Sequence, residues 1–432
     1  MSGAALDADP RYAPALHVRG VVAQRLGQPA LACSLFESAI ACGGGRPSLY
    51  FDLIEAYRMD WRLDDALQVG RRASELWPDD AVLATALGFV LYDRGELDDA
   101  IALLRRVIAK APDHPGAHMK LGQCLLAGGD SAGWPEYEWR FRQSGESPAP
   151  PPTTQPKWDG SDASAKTLLL VCDEGFGDVI QFARFIPLLA KRCRKMVIAC
   201  GAEMRPFIFQ QEGGADNFQH WRQMPAHDVY CHLNSVPGLL QTNVAAPPAP
   251  IPYIRADSDR ALLWRDRLNT ALPAGFRVGL AWAGNPAHLN DRRRSISFDH
   301  LLALTAIPGV ALVGLQRSAA PVTMPEPKGP APFLDCGPQI GDFVDTAAIV
   351  ENLHLLISVD SAPAHVAGAM GKPVWMLLPF TGDWRWPRGR TDTPWYPSVR
   401  LFRQSRPGDW SGVIAAVVRE LRSAVSGETR MA

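Results

Sequence analysis

The first third of the chain repeats itself at a step of 34 residues, and this repeat constrains the fold more than any other feature. Mostly small residues recur at two positions of each unit, and Gly or Pro closes the unit. The matched positions are Gly20, Ile54, Gly88 and Gly122; Ala32, Ala66, Ala100 and Trp134; and Gly44, Pro78 and Pro112. Small residues let two helices approach closely, and Gly or Pro ends a helix. The pattern therefore predicts a stack of helix pairs.

This pattern resembles the tetratricopeptide repeat over residues 13–133. Three full units are present, and the fourth runs into an aromatic segment, residues 134–141, which we expect to cap the array. The resemblance implies an all-α solenoid with a concave surface that binds a peptide or protein. A second interpretation stays open, in which the array only stabilises or dimerises the protein.

Composition excludes several classes of function. The net charge of −1 gives no reason to expect binding to nucleic acid or to an anionic membrane. The sequence contains no apolar run of about 18 residues and no secretory signal at its start, so we expect a cytoplasmic protein without an integral membrane segment. Eight scattered cysteines without a CxxC pair argue against a zinc site or a disulfide framework and fit a reducing compartment.

The length of 432 residues predicts two or three domains. Residues 144–157 are rich in proline and predict an extended connection. We expect the following division: a repeat domain with its capping helix at 1–143, a linker at 144–165, a first α/β domain at 166–256, and a second α/β domain at 257–432 whose last helix, 410–425, crosses back onto the first.

Residues 355–379 carry the clearest functional pattern, which reads as strand, turn, helix and strand. Leu355–Val359 and Val374–Leu378 are short apolar runs, as in buried parallel strands. Asp360 and Ser361 are N-cap residues, and Pro363 suits the first helical turn. The N–H groups of a helix start form an anion site, and His365 lies one turn in. The alternative is an ordinary capped helix that binds nothing.

A second functional turn follows the predicted strand 167–171. It contains Gly175 and Gly177, and the third glycine of a dinucleotide-binding motif is replaced by Ile180. A nicotinamide or flavin cofactor is therefore not expected. Asp178 either projects into a cleft or caps the next helix.

A third turn follows the predicted strand 278–281 and contains three consecutive arginines, 292–294. Such a run is usually a solvated surface, but beyond a strand end one of its members can clamp phosphate. Further residues near the predicted strand ends are candidates for the cleft. They are Gly175, Gly177, Gln181, Gly284, Asn285 and Gln316.

Two of these turns resemble motifs of the heptosyltransferase-like glycosyltransferases of family nine, over residues 168–404. The order Asp-Ser-Ala-Pro-x-His at 360–365 is similar to their Asp-Thr-Gly-x-x-His loop, with Ala362 in place of the glycine, and Gly-x-Gly-Asp at 175–178 is similar to their first turn. The resemblance implies a GT-B fold of two Rossmann-like domains, with Asp178 as the general base. It also implies a donor diphosphate site, for which the candidates are Arg294, Ser295, Asp360, Ser361, Ala362, Pro363 and His365.

Together the two resemblances imply an inverting glycosyltransferase that needs no metal and no cofactor and uses a nucleotide sugar as its substrate. The acceptor is expected to be a protein, for example a flagellin-like one, held by the repeats. Two alternatives stay open: a non-catalytic scaffold with a degenerate nucleotide-sugar fold, which Ala362 favours, and a transferase for a lipid-linked or soluble glycan. The aromatic segment 383–387 is expected to form a cleft wall or a plug between domains.

Overall fold

The computed structural model describes residues 9–143, 151–172, 174–211, 216–217, 221–248, 251–288, 291–317 and 329–427. The chain forms two compact units, Met1–Ser147 and Pro148–Ala432. Within the described ranges, none of the helices has both the length and the apolar character needed to cross a membrane.

The first unit consists of antiparallel helix pairs with short connections. Its helices are α1 (Ala13–Arg25), α2 (Pro29–Ala41), α3 (Pro47–Met59), α4 (Leu63–Leu76), α5 (Ala81–Arg94), α6 (Leu97–Lys110), α7 (Pro115–Ala127) and α8 (Gly133–Tyr137). Each helix packs on the next along the chain, and α3 also packs on α5, and α5 on α7. The first helices of successive pairs therefore form one layer of the stack.

The small residues of the repeat lie where helices approach closely. A Cβ atom on Gly20 would lie 2.3 Å from the ring of Phe36, and one on Gly88 would lie 2.8 Å from the side chain of Leu104. A side chain at either position would displace the second helix of its pair. The prediction that a 34-residue unit is a tightly packed helix pair is confirmed.

A left-handed residue joins the two helices of each pair. Gly27, Gly95 and Gly129 occupy this position with φ values of 69°, 81° and 83°. Trp61, the matching residue of the second unit, has a φ of 59°. A side chain with a Cβ pays a conformational cost of about 1–2 kcal/mol in this region, so the repeat imposes its turn on a residue that disfavours it.

The aromatic segment after α7 packs back on that helix, and only its first part is α-helical. The helix α8 continues into a 3-10 helix, Glu138–Arg142. The rings of His118 and Trp139 stack with their centroids 3.9 Å apart. A Cβ atom on Gly122 would lie 2.5 Å from the backbone nitrogen of Tyr137, so the glycine is what allows this close packing.

A buried polar cluster connects α3, α5 and α7. Arg58 forms an ion pair with Asp93 at 3.0 Å. The ammonium of Lys120 lies 4.0 Å from the ring centroid of Phe89 and 4.4 Å from that of Tyr92. Burial, together with the charge of Arg58, lowers the pKa of Lys120 to about 8. The cluster therefore makes this amine easier to deprotonate than an exposed lysine.

The second unit contains two parallel sheets. The first sheet has the strand order β3-β2-β1-β4 and the second has the order β10-β9-β8-β5-β6-β7. The strands are β1 (Ala163–Cys172), β2 (Cys193–Cys200), β3 (Asp216–Asn217), β4 (Val229–His232), β5 (Phe276–Ala281), β6 (Val310–Gly314), β7 (Phe333–Asp335), β8 (Leu355–Val359), β9 (Val374–Leu378) and β10 (Val399–Arg403). The bounds of β8 and β9 are those predicted from their apolar runs.

Helices and short 3-10 turns connect the strands. The α-helices are α9 (Phe176–Phe182), α10 (Ile186–Ala190), α11 (Arg205–Gln211), α12 (Val236–Leu239), α13 (Ser258–Ala271), α14 (Asp291–Arg294), α15 (Phe298–Leu301), α16 (Phe343–Glu351), α17 (Ala362–Ala369) and α18 (Trp410–Ser426). The fold class predicted from the sequence, helical repeats followed by two Rossmann-like α/β halves, is confirmed.

One detail of the second unit corrects the predictions. The strand β1 begins at Ala163, inside the predicted linker 144–165, because backbone pairing of Lys157 and Trp158 with Tyr230 already ties the chain to the sheet. Residues 144–150 of that linker lie outside the described residues. The other predicted domain bounds stay predictions.

The last helix, α18, packs on the second half of the unit. Its buried residues Trp410, Val413 and Val417 share a core with strands β5 and β8. The apolar stripe of this helix therefore completes the core of its own sheet, while the expected crossing of the helix onto the first half stays a prediction.

Candidate active site

The strand order of each sheet reverses at one point, and three of the predicted loops lie at these two points. In the second sheet β5 pairs with both β6 and β8, so the chain reverses direction across the sheet between β5 and β8. In the first sheet β1 likewise lies between β2 and β4. Ligands of parallel sheets bind beyond the carboxyl ends of strands at such points. The loops after β1, β5 and β8 are those that carry the predicted site residues.

The helix α17 begins at the predicted turn without a side-chain cap. Ser361 occupies the N-cap position, but its hydroxyl lies 3.1 Å from that of Ser358 and does not bond to the helix. Ala362 and Pro363 form the first helical positions. Pro363 has no N–H, and the N–H groups of Ala364 and His365 donate to the carbonyl of Ser361 at 3.0 and 3.4 Å. Within the described residues, the N–H of Ala362 is the donor of this turn that remains suited to an anion.

His365 is held from both sides of its ring. Its Nδ1 lies 3.0 Å from the hydroxyl of Tyr396, and its Nε2 lies 3.6 Å from Oδ1 of Asp360. The ring is almost fully buried and also packs beside Trp386, with centroids 5.5 Å apart. A hydroxyl that donates to Nδ1 would leave the proton on Nε2, which faces Asp360.

Asp360 lies among positive and donor groups. Burial by itself would raise the pKa of this carboxyl group, but the hydrogen bond and charge of His365, the charge of Arg294 and the indole of Trp386 lower it to about 2. Arg294 follows β5 and Asp360 follows β8, so the structure brings together residues from two of the predicted loops.

The loop after β5 is shaped around Arg294. A Cβ atom on Gly284 would lie 2.5 Å from Oδ1 of Asp291 and 2.7 Å from a guanidinium nitrogen of Arg294. The guanidinium also contacts Asp291, with Nε 3.3 Å from Oδ1. Gly284 therefore provides the space in which Arg294 lies, whereas residues 289–290 of this loop lie outside the described residues.

Three other predicted residues hold this loop in place. Ser295 accepts a hydrogen bond from the backbone N–H of Gly284 at 2.9 Å. Gln316 accepts from the N–H groups of residues 282 and 283 at 3.1 and 2.9 Å, and Asn285 accepts from that of residue 287 at 3.0 Å. Their side-chain oxygens are thus engaged by the backbone, which positions the loop after β5.

Asp178 lies in the first turn of α9, and its partner is a residue that we did not predict. The N-cap position belongs to Gly175, so the interpretation of Asp178 as the cap is wrong. Its Oδ1 accepts a hydrogen bond from the guanidinium of Arg385 at 2.5 Å. Its Oδ2 has no hydrogen-bond partner among the described residues and faces Gly175, where a Cβ atom would lie 3.0 Å away. One carboxylate oxygen is therefore held and the other is open.

The two halves of the second unit meet at this turn. A Cβ atom on Gly177 would lie 2.8 Å from Cδ2 and 3.2 Å from Nε2 of His365. Gln181 is fully buried, and its Oε1 accepts from Nε of Arg385 at 2.6 Å. Residues of α9 and of the loops after β8 and β9 therefore form one continuous site.

Arg385, Trp386 and Tyr396 are the residues of this site that sequence reasoning missed. The first two lie in the aromatic segment 383–387, which follows β9 and was expected to be a cleft wall or a plug. Trp384 and Trp386 are buried, while Arg385 reaches across to α9. The position of this segment beyond a strand end was the only sequence feature that pointed to it.

No group of three or more His, Cys, Asp or Glu side chains arranged to hold a metal ion occurs in the part of the chain that the structure describes. A cavity of about 320 Å³ lies between β10 and α18, away from this site, and an ion pair of Arg400 and Glu420 at 2.8 Å crosses its wall. It contains none of the predicted residues.

Comparison with known proteins supports the repeat assignment. Residues 58–124 and 91–133 match the family model of the tetratricopeptide repeat. A thermophilic TPR protein of Thermus thermophilus is 25% identical, with a TM-score of 0.30, and the match covers 33% of this chain and 79% of that structure. The predicted resemblance to this repeat is confirmed.

Two further proteins match larger shares of the chain. Protein FlbA of Caulobacter vibrioides is 24% identical over 491 residues, which covers 97% of this chain and 80% of that protein. The crystal structure of the glycosyl transferase family 9 from Veillonella parvula matches with 11% identity and a TM-score of 0.43, covering 64% of this chain and 100% of that structure.

Proposed function

We propose that this protein is a glycosyltransferase that moves a sugar from a nucleotide-sugar donor to an acceptor hydroxyl. The observation that carries the proposal is the contact of Gly177 with the ring of His365. It unites a turn bearing an open carboxylate oxygen with a helix start suited to a diphosphate. A displacement at a sugar carbon needs both groups, one for the nucleophile and one for the leaving group.

In the proposed reaction, Oδ2 of Asp178 accepts the proton of the acceptor hydroxyl. The acceptor oxygen forms a bond to the anomeric carbon, and the bond from this carbon to the diphosphate oxygen breaks with its electron pair. The nucleoside diphosphate leaves with one additional negative charge. A single displacement of this kind inverts the configuration of the anomeric carbon.

Three groups are proposed to stabilise the departing diphosphate. Arg294 supplies a guanidinium that can bind two oxygens, the start of α17 supplies the N–H of Ala362, and His365 supplies Nε2–H. Arg294 is positively charged, and the other two groups donate hydrogen bonds. We therefore propose that the reaction proceeds without a metal. Asp360, as a carboxylate, is proposed to act through the orientation of His365 rather than by contact with phosphate.

The repeat array is proposed to hold the acceptor, a protein such as a flagellin-like one. Support comes from the match to the tetratricopeptide repeat and from the layer formed by α1, α3, α5 and α7, since solenoids of this kind present extended binding surfaces. A cytoplasmic location is proposed from the eight cysteines, which form no disulfide within the described part of the chain.

The first experiment titrates the full-length protein with ADP, UDP and GDP by calorimetry. The proposal predicts that at least one of them binds, that chelation of divalent metals leaves this affinity unchanged, and that its sugar conjugates are turned over when acceptor is present. Intact-mass analysis of partner proteins from cells with and without this chain then identifies the acceptor. Binding without turnover would favour the non-catalytic scaffold, and no binding would contradict a donor site.

A further inference from the structure

Arg385 is the most completely engaged side chain at the candidate active site. Each of its three guanidinium nitrogens has a partner: NH2 bonds to Asp178 at 2.5 Å, Nε to Gln181 at 2.6 Å, and NH1 to Asp383 at 2.8 Å. The side chain is only 7% exposed. These bonds fix the guanidinium in orientation as well as in place.

Aromatic packing adds to this rigidity. The guanidinium carbon lies 4.4 Å from the ring centroid of Trp384 and 5.4 Å from that of Phe182. Stacking on aromatic rings stabilises a planar guanidinium. An ammonium is a compact charge and cannot donate to the same three partners in the same plane. Arg385 is therefore held by partners other than Asp178, among them Gln181 and Asp383.

We infer that Arg385 is a positioning residue for the proposed transfer reaction, an inference that rests on the proposed function. It holds Oδ1 of Asp178 so that Oδ2 faces the acceptor hydroxyl. A misplacement of about 1 Å can cost a factor of roughly 10² in rate, so a fixed partner for the base carboxylate has a direct kinetic consequence.

The pair also couples the two charges of the reaction. Before transfer, the guanidinium of Arg385 neutralises the carboxylate of Asp178. When Oδ2 takes the proton of the acceptor, the carboxylate loses its charge, and the diphosphate gains one negative charge as the sugar bond breaks. Asp383 still pairs with Arg385 at 2.8 Å, so the cluster of Asp178, Arg385 and Asp383 passes from a net negative charge to neutrality as the diphosphate gains its charge.

A purely structural role is the competing explanation, because Arg385 also joins the two halves of the unit. Arg184 provides a matched control for that role. It too is a buried arginine that joins the halves, and it donates to the backbone carbonyl of Trp395 at 2.7 Å. Its guanidinium packs over the rings of Tyr253 and Tyr396 and makes no contact with Asp178, so its replacement removes a bridging arginine without touching the proposed base.

The test is a double-mutant cycle on the full-length protein. Release of nucleoside diphosphate is measured with saturating nucleotide sugar, chosen by the ADP, UDP and GDP titrations, for the parent, Arg385→Lys, Asp178→Asn and the double variant. Arg385→Lys should lower kcat by roughly ten- to a hundredfold with little change in donor KM. In the Asp178→Asn background the same change should lower kcat by less than about threefold, since the carboxylate that Arg385 positions is already lost.

An equal loss in both backgrounds would overturn the inference, as would a loss of kcat that Arg184→Lys reproduces at the same melting temperature. If Arg385→Lys does not fold, Gln181→Met replaces it, because this change removes the acceptor of Nε while the charge of Arg385 remains. Parent-like kcat for Asp178→Asn would also overturn the inference. The proposed function fails separately, if the parent protein binds none of the three nucleotides.

Discussion

The imidazole of His365 lies against the backbone of Gly177, at a distance that leaves no room for a side chain on the latter. A Cβ atom there would lie 2.8 Å from Cδ2 of the ring, below the separation that real Cβ atoms show. Gly177 lies in α9 and His365 in α17, helices that follow strands of different parallel sheets, so their contact joins the turn that carries Asp178 to the turn of the proposed anion site. The first predictions below follow from it.

Gly177→Ala should displace the ring of His365 and lower the affinity for a nucleoside diphosphate by roughly tenfold, or about 1.4 kcal/mol. The loss cannot come from α9 itself, since alanine favours a helix over glycine by about 1 kcal/mol. Calorimetry with the best-binding of ADP, UDP and GDP measures the effect. Gly45→Ala is the control, because a Cβ atom there meets nothing within 4 Å. Equal affinity of the two variants would show that His365 does not contribute to nucleoside-diphosphate binding.

Tyr396→Phe should weaken nucleoside-diphosphate binding by about two- to tenfold, because it removes one hydrogen bond to a buried group. The lost bond is the one between the hydroxyl and Nδ1 of His365, 3.0 Å long. Nitrogen NMR of His365 should show a changed tautomer balance in the variant. Tyr230→Phe, in strand β4, serves as the control. An unchanged imidazole spectrum would mean that the hydroxyl does not set the tautomer.

Arg294→Gln should lower nucleoside-diphosphate affinity by tenfold or more, while the weaker affinity for the free nucleoside stays the same. The reason is that a guanidinium recognises phosphate and not the base. Arg292→Gln is the matched control within the same run, since Arg292 is exposed and Arg294 is half-buried against Gly284. A similar loss in both variants would indicate a general electrostatic field instead of a specific clamp.

The stability of the repeat unit should depend on the protonation of Lys120. The pKa of this amine is lowered from 10.5 to about 8 in the folded protein. Between these values the unfolded chain binds more protons than the folded one, so folding becomes more favourable as the pH rises from about 8 to about 10.5. The total gain is on the order of 3 kcal/mol.

Comparison with Lys120→Met isolates this effect from the titration of other groups. The melting temperature of the parent should rise relative to that of the variant between pH 7.5 and pH 10. A constant difference between the two proteins would show that Lys120 titrates at its ordinary pKa.

Local sequence patterns predicted the strands well where every residue of the strand is buried. Strands β8 and β9 have the predicted bounds because their apolar runs are flanked by turn residues on both sides. Helix α16 shows the limit of such patterns: two aspartates, Asp342 and Asp345, lie at its start, and the cap is Asp342. The carboxylate of Asp345 instead accepts from Trp264 and Arg260, contacts that only the tertiary fold creates.

The relation between strands could not be predicted from one sequence. Nothing local to β5 indicates that it pairs with β8, although this pairing is what brings Arg294 near Asp360. Arg385 was missed for the same reason, since its partner Asp178 lies 207 residues away. The sequence motifs therefore indicated which loops matter, while the neighbours that position their side chains depended on the fold.

The central claim is that Asp178 is the general base of a sugar transfer, and the most direct test is the turnover of Asp178→Asn at saturating donor. Asparagine keeps the volume and can still accept from Arg385, but it lacks a basic oxygen. The account predicts that nucleoside-diphosphate affinity stays within about threefold of the parent, while the rate of transfer falls by roughly 10² or more. A folded Asp178→Asn variant that transfers sugar within a few-fold of the parental rate would contradict it.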